Sequence, residues 1–234
     1  RARLMAELKT GLAVIHGATA IGAPDNTIAA PFTQNGDFAW LTGISDEPGA
    51  VLVLAPGEAV VKEFLFLPSR DVETERWEVE RLPLGSLIEQ RTGVQRVQRT
   101  ARLGGVVTQL ATRAKELHFL GPVVSADAPV PATLELYGKV MARVPGTSIR
   151  DQSGLLTQMR SVKEPRELEW LNKAMVATRA GHLAAMKAVK PGMTERQLRR
   201  VLEEGFANAG GTGLAYNSIV AAGRNAASLH YVAE

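Results

Sequence analysis

The chain has 234 residues, 45% of them hydrophobic, and a net charge of +3 from 27 basic and 24 acidic side chains. That composition fits one large or two medium folded domains and excludes an intrinsically disordered chain. There is no cysteine, which excludes disulfides, thiolate metal sites and a cysteine nucleophile.

In chain order, "RARLMAELKT" reads as a helix that Gly11 stops, and "LAVIHG" as a short buried strand. "APDNT" reads as a loop, "DFAWLTG" as a strand closed by Gly43, and "DEP" as a turn. "GAVLVLAPGE" is a strong strand ending at a Pro-Gly turn, and "KEFLFLP" repeats that pattern. "RDVETERWEVERL" predicts a charged helix, "KELHFLGP" another short strand, and "PATLELYGKVMARV" a helix ended by Pro145 and Gly146. Short strands interleaved with helices predict an α/β domain over residues 1–152, with a largely parallel or mixed sheet flanked by helices on both faces.

The polar, turn-rich "PGTSIRDQSG" predicts a boundary, with a second domain over residues 153–234. Pro165 suits the first turn of a helix. Leu168, Leu171, Met175, Thr178, His182, Ala185 and Val189 then recur at intervals of three and four, which predicts one apolar face. "KPGM" stops this helix, and Thr194 with Gln197 forms a capping box for the next. Leu198, Val201, Leu202 and Phe206 mark its buried face, and Gly210-Gly211 its end. "AYNSIVAAGRNAASLHYVAE" predicts a hairpin, two alternating apolar runs around "GRNAA". Helix, helix, hairpin is the order of an α+β domain.

The basic cluster Arg196, Arg199 and Arg200 is followed by Glu203 and Glu204 and lacks stacking aromatics, so it reads as a solvated face and no nucleic-acid partner is expected. No apolar run approaches the ~20 residues of a membrane span, so no membrane association is expected. The opening segment is a poor signal peptide, because Glu7 and Lys9 interrupt its short apolar run. A cytoplasmic address fits. The chain begins at Arg1, and residues are expected to be missing at that end.

His16, His118 and His182 read as structural histidines on apolar elements, with no "HExxH" and no paired carboxylates at ligand spacing. His230 differs. Strand alternation in "SLHYV" places it on one face with Ser228 and Val232, beside a turn in which Gly223 and Asn225 permit a tight reversal. A histidine there can project into a cleft and donate a hydrogen bond, or pack structurally; the residues alone leave both readings open.

Four stretches together resemble the Xaa-Pro aminopeptidase branch of the creatinase/prolidase family. They are "FTQNGDFAWLTGISDEPGAVLVLAP", "LFLPSRDVETERWEVERL", "MRSVKEPRELEWLNKAMVATRAGHLAAMKAVKPGMTERQL" and "AYNSIVAAGRNAASLHYVAE", in order along nearly the whole chain. The resemblance implies a creatinase-type N-terminal domain followed by the beginning of an α+β "pita-bread" metallopeptidase domain. It implies two divalent metal ions, usually Mn²⁺, and removal of an N-terminal residue that precedes proline. It implies a proline-containing peptide substrate and a homo-oligomer, dimer or tetramer. By the same likeness His230 is the catalytic histidine that contacts substrate and helps to stabilise the tetrahedral intermediate, and Tyr216 lines that site. Asp37 and Trp77 match N-domain positions that reach a neighbouring subunit's active site in tetrameric members. Val79 departs from the family, standing where glycine is common.

The family's metal ligands, two aspartates, a histidine and two glutamates, lie downstream of "LHY". None is expected among these residues, so this portion alone is expected to be inactive and part of a longer enzyme. Two other readings stay open: a prolidase-type Xaa-Pro dipeptidase, and a catalytically dead peptide-binding module of the same fold.

Overall fold

A computed structural model describes residues 1–19, 32–77 and 80–231. The loop expected at "APDNT", Val79 and Val232 lie outside these residues. The chain divides into two compact units, Arg1–Ser161 and Val162–Glu234.

The first unit is built on β1 (Leu12–His16), β2 (Val51–Leu54), β3 (Glu63–Leu67), β4 (Arg96–Arg99), β5 (Glu116–Phe119) and β6 (Ser148–Asp151). They form one sheet in the order β4-β3-β2-β1-β5-β6. The β1–β2 and β2–β3 pairs are antiparallel, and the β1–β5, β3–β4 and β5–β6 pairs are parallel. The mixed sheet expected from the sequence is therefore present. Strand β2 is apolar at every position and β3 is buried at every position, because both faces are covered.

Strand alternation divides the core in two. Ala13, Ile15, Leu52, Leu54, Leu65 and Leu67 point to one face. There they meet Leu4 and Leu8 of α1 (Ala2–Leu8), Phe38 and Leu41 of α2 (Gly36–Thr42), Ile88 of α4 (Ser86–Thr92), and Leu156 and Met159 of α7 (Leu155–Ser161). Leu12, Val14, Val51, Val53, Phe64 and Phe66 point to the other face. Their partners are Val107 and Leu110 of α5 (Leu103–Ala114) and Tyr137 and Val140 of α6 (Ala132–Met141). Each such side chain contributes about 1.5–3 kcal/mol by leaving water.

Buried polar groups link the elements. The Tyr137 hydroxyl accepts from the Val14 N–H at 2.9 Å and donates to the His118 carbonyl at 2.9 Å. Burial raises its pKa strongly, so it stays a neutral donor. Nε2 of buried His118 donates to the Thr10 carbonyl at 2.8 Å, which agrees with a structural role. The same ring explains Gly11: φ is +78°, and a Cβ there would stand 2.4 Å from His118 Nε2.

Two expectations for this unit fail. "DFAWLTG" is the helix α2, not a strand. Asn35 Oδ1 caps it by accepting the Asp37 and Phe38 N–H groups, Gly43 closes it in the left-handed conformation, and Phe38, Leu41 and Thr42 share its buried side. The buried positions follow intervals of three and four, the helical period. Among its described residues "RDVETERWEVERL" yields only the single turn α3 (Val72–Glu75). Arg70 pairs with both Glu75 and Glu80, at 2.6 and 2.8 Å, holding charges that a longer helix would have spread along one face. The stretch at residues 145–154 also contains the edge strand β6, whose side chains are all exposed, so no buried alternation marks it in the sequence.

In the second unit, α8 (Pro165–Ala188) and α9 (Glu195–Asn208) are the two helices expected. Reciprocal capping boxes start them, Glu164 with Glu167 and Thr194 with Gln197. The predicted apolar face of α8 meets α9 only at its margin, where the His182 ring lies 6.0 Å from that of Phe206. Leu168, Leu171, Met175, Thr178, His182 and Val189 are exposed, and the buried residues are Ala177 and Gly181. The reason is close approach. A Cβ on Gly205 of α9 would lie 2.6 Å from the Gly181 Cα, and one on Gly181 would lie 2.3 Å from the Phe206 ring. Only the smallest residues fit that crossing, so the large apolar side chains lie to its flanks. The Arg196, Arg199 and Arg200 face is largely solvated, with Arg199 3.8 Å from Glu203.

The hairpin is also absent: no strand occurs among the described residues of this unit, and Gly223–Ala227 form a short 3₁₀ helix. The Asn225 N–H bonds the Ala222 carbonyl at 3.1 Å and the Ser228 N–H bonds the Asn225 carbonyl at 2.9 Å. These local bonds use groups that a ladder would have needed, and an isolated two-stranded hairpin is only marginally stable. Among the described residues no helix is long and apolar enough to cross a membrane.

Candidate functional site

The segment carrying His230 is organised by the start of α9. Thr194 caps that helix, and Glu195 follows at its first position. An acid there is favoured by the helix dipole, so the residue looks locally satisfied. Its carboxylate instead reaches a distant segment. It accepts from the Ala222 N–H at 2.6 Å and from the Asn225 side-chain amide at 3.1 and 3.3 Å. The Ala222 N–H, followed by the Asn225 amide and the Tyr231 hydroxyl, holds the Glu195 carboxyl below its ordinary range, against a smaller opposing effect of burial. One side chain thus ties the entry, the middle and the exit of the turn that bears His230.

His230 itself is exposed and lies in a turn, not on a strand face as expected. Its neighbour Tyr231 is half-buried and bonded to Glu195. Tyr216 is 79% exposed and borders an open groove of about 970 Å³, lined also by Trp170, Lys173, His182, Phe206 and Ile219. His182 is exposed, and it is occupied locally. Nδ1 is 2.8 Å from the Thr178 carbonyl, and the ring lies 6.0 Å from that of Phe206.

The two N-domain positions sit differently from each other. Asp37, in the first turn of α2, is half-buried and ion-paired with Arg160 of α7 at 2.5 Å. Trp77 follows the end of α3 and is 89% exposed. His230 and Tyr216 thus belong to the second unit, Asp37 and Trp77 to the first. Sequence reasoning missed Glu195. The capping box marked its neighbours, but nothing local signals a partner 27 residues downstream.

Among the described residues, no group of three or more His, Asp or Glu side chains could hold a metal ion. These residues therefore do not fit a metal centre, and no chemical step can be routed through one on their account.

Residues 1–119 match the family described as aminopeptidase P, N-terminal domain. The chain belongs to the aminopeptidase P family. Residues 169–234 match metallopeptidase family M24, so the second unit carries the opening of the family's peptidase domain. The chain is 32% identical to the Xaa-Pro aminopeptidase of Escherichia coli over 240 residues, 99% of this chain and 53% of that protein. Proline aminopeptidase P II from Yersinia pestis superposes with a TM-score of 0.80 at 26% identity, over 98% of this chain and 53% of that one. Zinc-substituted E. coli aminopeptidase P in complex with product gives 0.83 at 24% identity, over 98% of this chain and 53% of that one. These superpositions agree with an aminopeptidase P α/β domain followed by the start of the pita-bread domain. The chain spans about half the length of the relatives it matches.

Proposed function

We propose that the whole protein is a metal-dependent aminopeptidase that removes the N-terminal residue from peptides with proline in second position. The observation that carries this reading is the ordered pair of family matches, N-terminal domain then metallopeptidase domain, over residues 1–119 and 169–234. Likeness to an Xaa-Pro aminopeptidase over 99% of the chain supports it. Two divalent ions, Mn²⁺ by preference, are cofactors of the whole protein, held by residues outside this portion. The 234 residues alone are inactive on this reading. The whole protein works in the cytoplasm as a homo-oligomer.

His230 serves as a donor to negative charge developing on the peptide carbonyl oxygen. Its exposure leaves the imidazole accessible to substrate. Tyr216 lines the substrate path, which its place on the groove supports. Trp77 offers an exposed aromatic surface and Asp37 a carboxylate held by Arg160, for contact with peptide across a subunit boundary.

The test is cleavage by the full-length protein of an Xaa-Pro-Yaa tripeptide and an Xaa-Pro dipeptide, with and without chelator, followed by mass spectrometry. Release of Xaa from the tripeptide, abolished by chelation and restored by Mn²⁺, is the expected result. An intact tripeptide with a cleaved dipeptide makes the protein a dipeptidase instead; two intact peptides sink both activities.

A further inference from the structure

We infer that Glu195 is a positioning residue, which sets the turn that carries His230 and through it the placement of the imidazole. This inference rests on the reading of His230 as a substrate-contacting donor. Its physical basis is independent of that reading: three donors spread over ten residues converge on one carboxylate. The Ala222 N–H lies 2.6 Å from Oε1 and the Asn225 amide lies 3.1 and 3.3 Å from the two oxygens, and the Tyr231 hydroxyl adds the weakest of the three interactions.

The geometry makes this more than a helix-end acid. The carboxylate is anchored at the first turn of α9, which the Thr194–Gln197 capping box holds rigidly in place. The 3₁₀ helix Gly223–Ala227 has no buried residue, so among the described residues its bonds to Glu195 are what tie it to α9. Charge-assisted bonds to an anchored carboxylate are stronger than neutral ones and are directional. Ala222 precedes the 3₁₀ helix, Asn225 lies within it, and Tyr231 adjoins His230 directly. Removing the carboxylate frees the turn at all three points, and His230 then samples positions away from the reacting carbonyl.

The experiment uses the full-length, metal-loaded protein. Glu195→Ala is expected to lower kcat about tenfold to a hundredfold, the scale of a misplaced catalytic group, with KM and metal content nearly unchanged. Glu195→Gln keeps a carbonyl oxygen for the Ala222 N–H and is expected to recover most of the loss. In a His230→Ala background, Glu195→Ala should cost little more, because the two act as one unit. Hydrogen exchange over residues 222–231 should quicken in Glu195→Ala while that of α9 stays as in wild type. Wild-type kcat in Glu195→Ala, or losses that multiply fully with His230→Ala, would overturn the inference. If wild-type protein cleaves no Xaa-Pro peptide, the proposed function fails. Exchange then decides the anchoring alone: unchanged rates over 222–231 overturn it and accelerated rates uphold it. If Glu195→Ala does not fold, Asn225→Ala removes one of the bonds and carries the comparison: a lower kcat that is not compounded by His230→Ala upholds the inference, and a wild-type kcat overturns it.

Discussion

In the first unit Leu52, Leu65 and Phe66 are wholly buried, whereas on α8 Met175 is 59% exposed and Met186 72%. The first unit encloses its strands between helices, and each face of the sheet has its own core. The second unit rests on one helix crossing made possible by two glycines, and none of the described residues of α9 is fully buried. Similar apolar sequence therefore does different work in the two places. In one unit it supplies the folding free energy. In the other, caps and close backbone approach define the helix pair, and its large side chains are exposed within the residues described.

The sharpest way to break this contrast is to cut into the sheet core. Phe66→Ala should destabilise the first unit by about 3–5 kcal/mol, seen as a fall in the denaturant midpoint and as faster exchange throughout residues 51–119. A loss under about 1 kcal/mol would remove the contrast. Tyr137→Phe leaves the Val14 N–H and the His118 carbonyl without their partner, at a cost of about 1–3 kcal/mol. Gly205→Ala in the second unit should cost about 1–3 kcal/mol through the forced separation of α8 and α9, with exchange accelerated in those helices alone. A silent Gly205→Ala would mean that the crossing is not held by close approach.

A smaller effect is pH-dependent. Burial lowers the pKa of His16 from its ordinary value of 6.5, and its Nε2 has no partner among the described residues. The unfolded chain then binds a proton at a higher pH than the folded one. Stability is fullest above 6.5 and declines as the pH falls below it. Melting at pH 7.5 and 5.5 should show this decline in wild type and a shallower one in His16→Asn; equal slopes would assign the decline to other groups. The smallest effect belongs to the exposed face. Met175→Ser should change stability by no more than about 0.5 kcal/mol, and a large loss would show that this face is buried in solution.

Much of the fold was legible in the sequence. "GAVLVLAPGE" and "KEFLFLP" are the central strands β2 and β3, and "TERQ" is the reciprocal cap of α9. The failures share a cause. "DFAWLTG" is a helix because Asn35 caps it and its buried residues Phe38, Leu41 and Thr42 fall at helical spacing. The site was legible only in outline: the motif around His230 stood out, while Glu195, which holds it, did not.

What the sequence determined by itself lies within a few residues of its cause. Helix starts follow from side chains that reach their own backbone, strands from alternation, and family membership from motifs in order. What only the tertiary structure decided needs partners far along the chain. Gly181 with Gly205 chose which side of α8 is buried, and Glu195 with Ala222, Asn225 and Tyr231 made a bonded turn of the expected hairpin. The physical reason is that a hydrogen-bond acceptor or a missing Cβ has no sequence direction. Its effect depends on what the fold brings within about 3 Å of it.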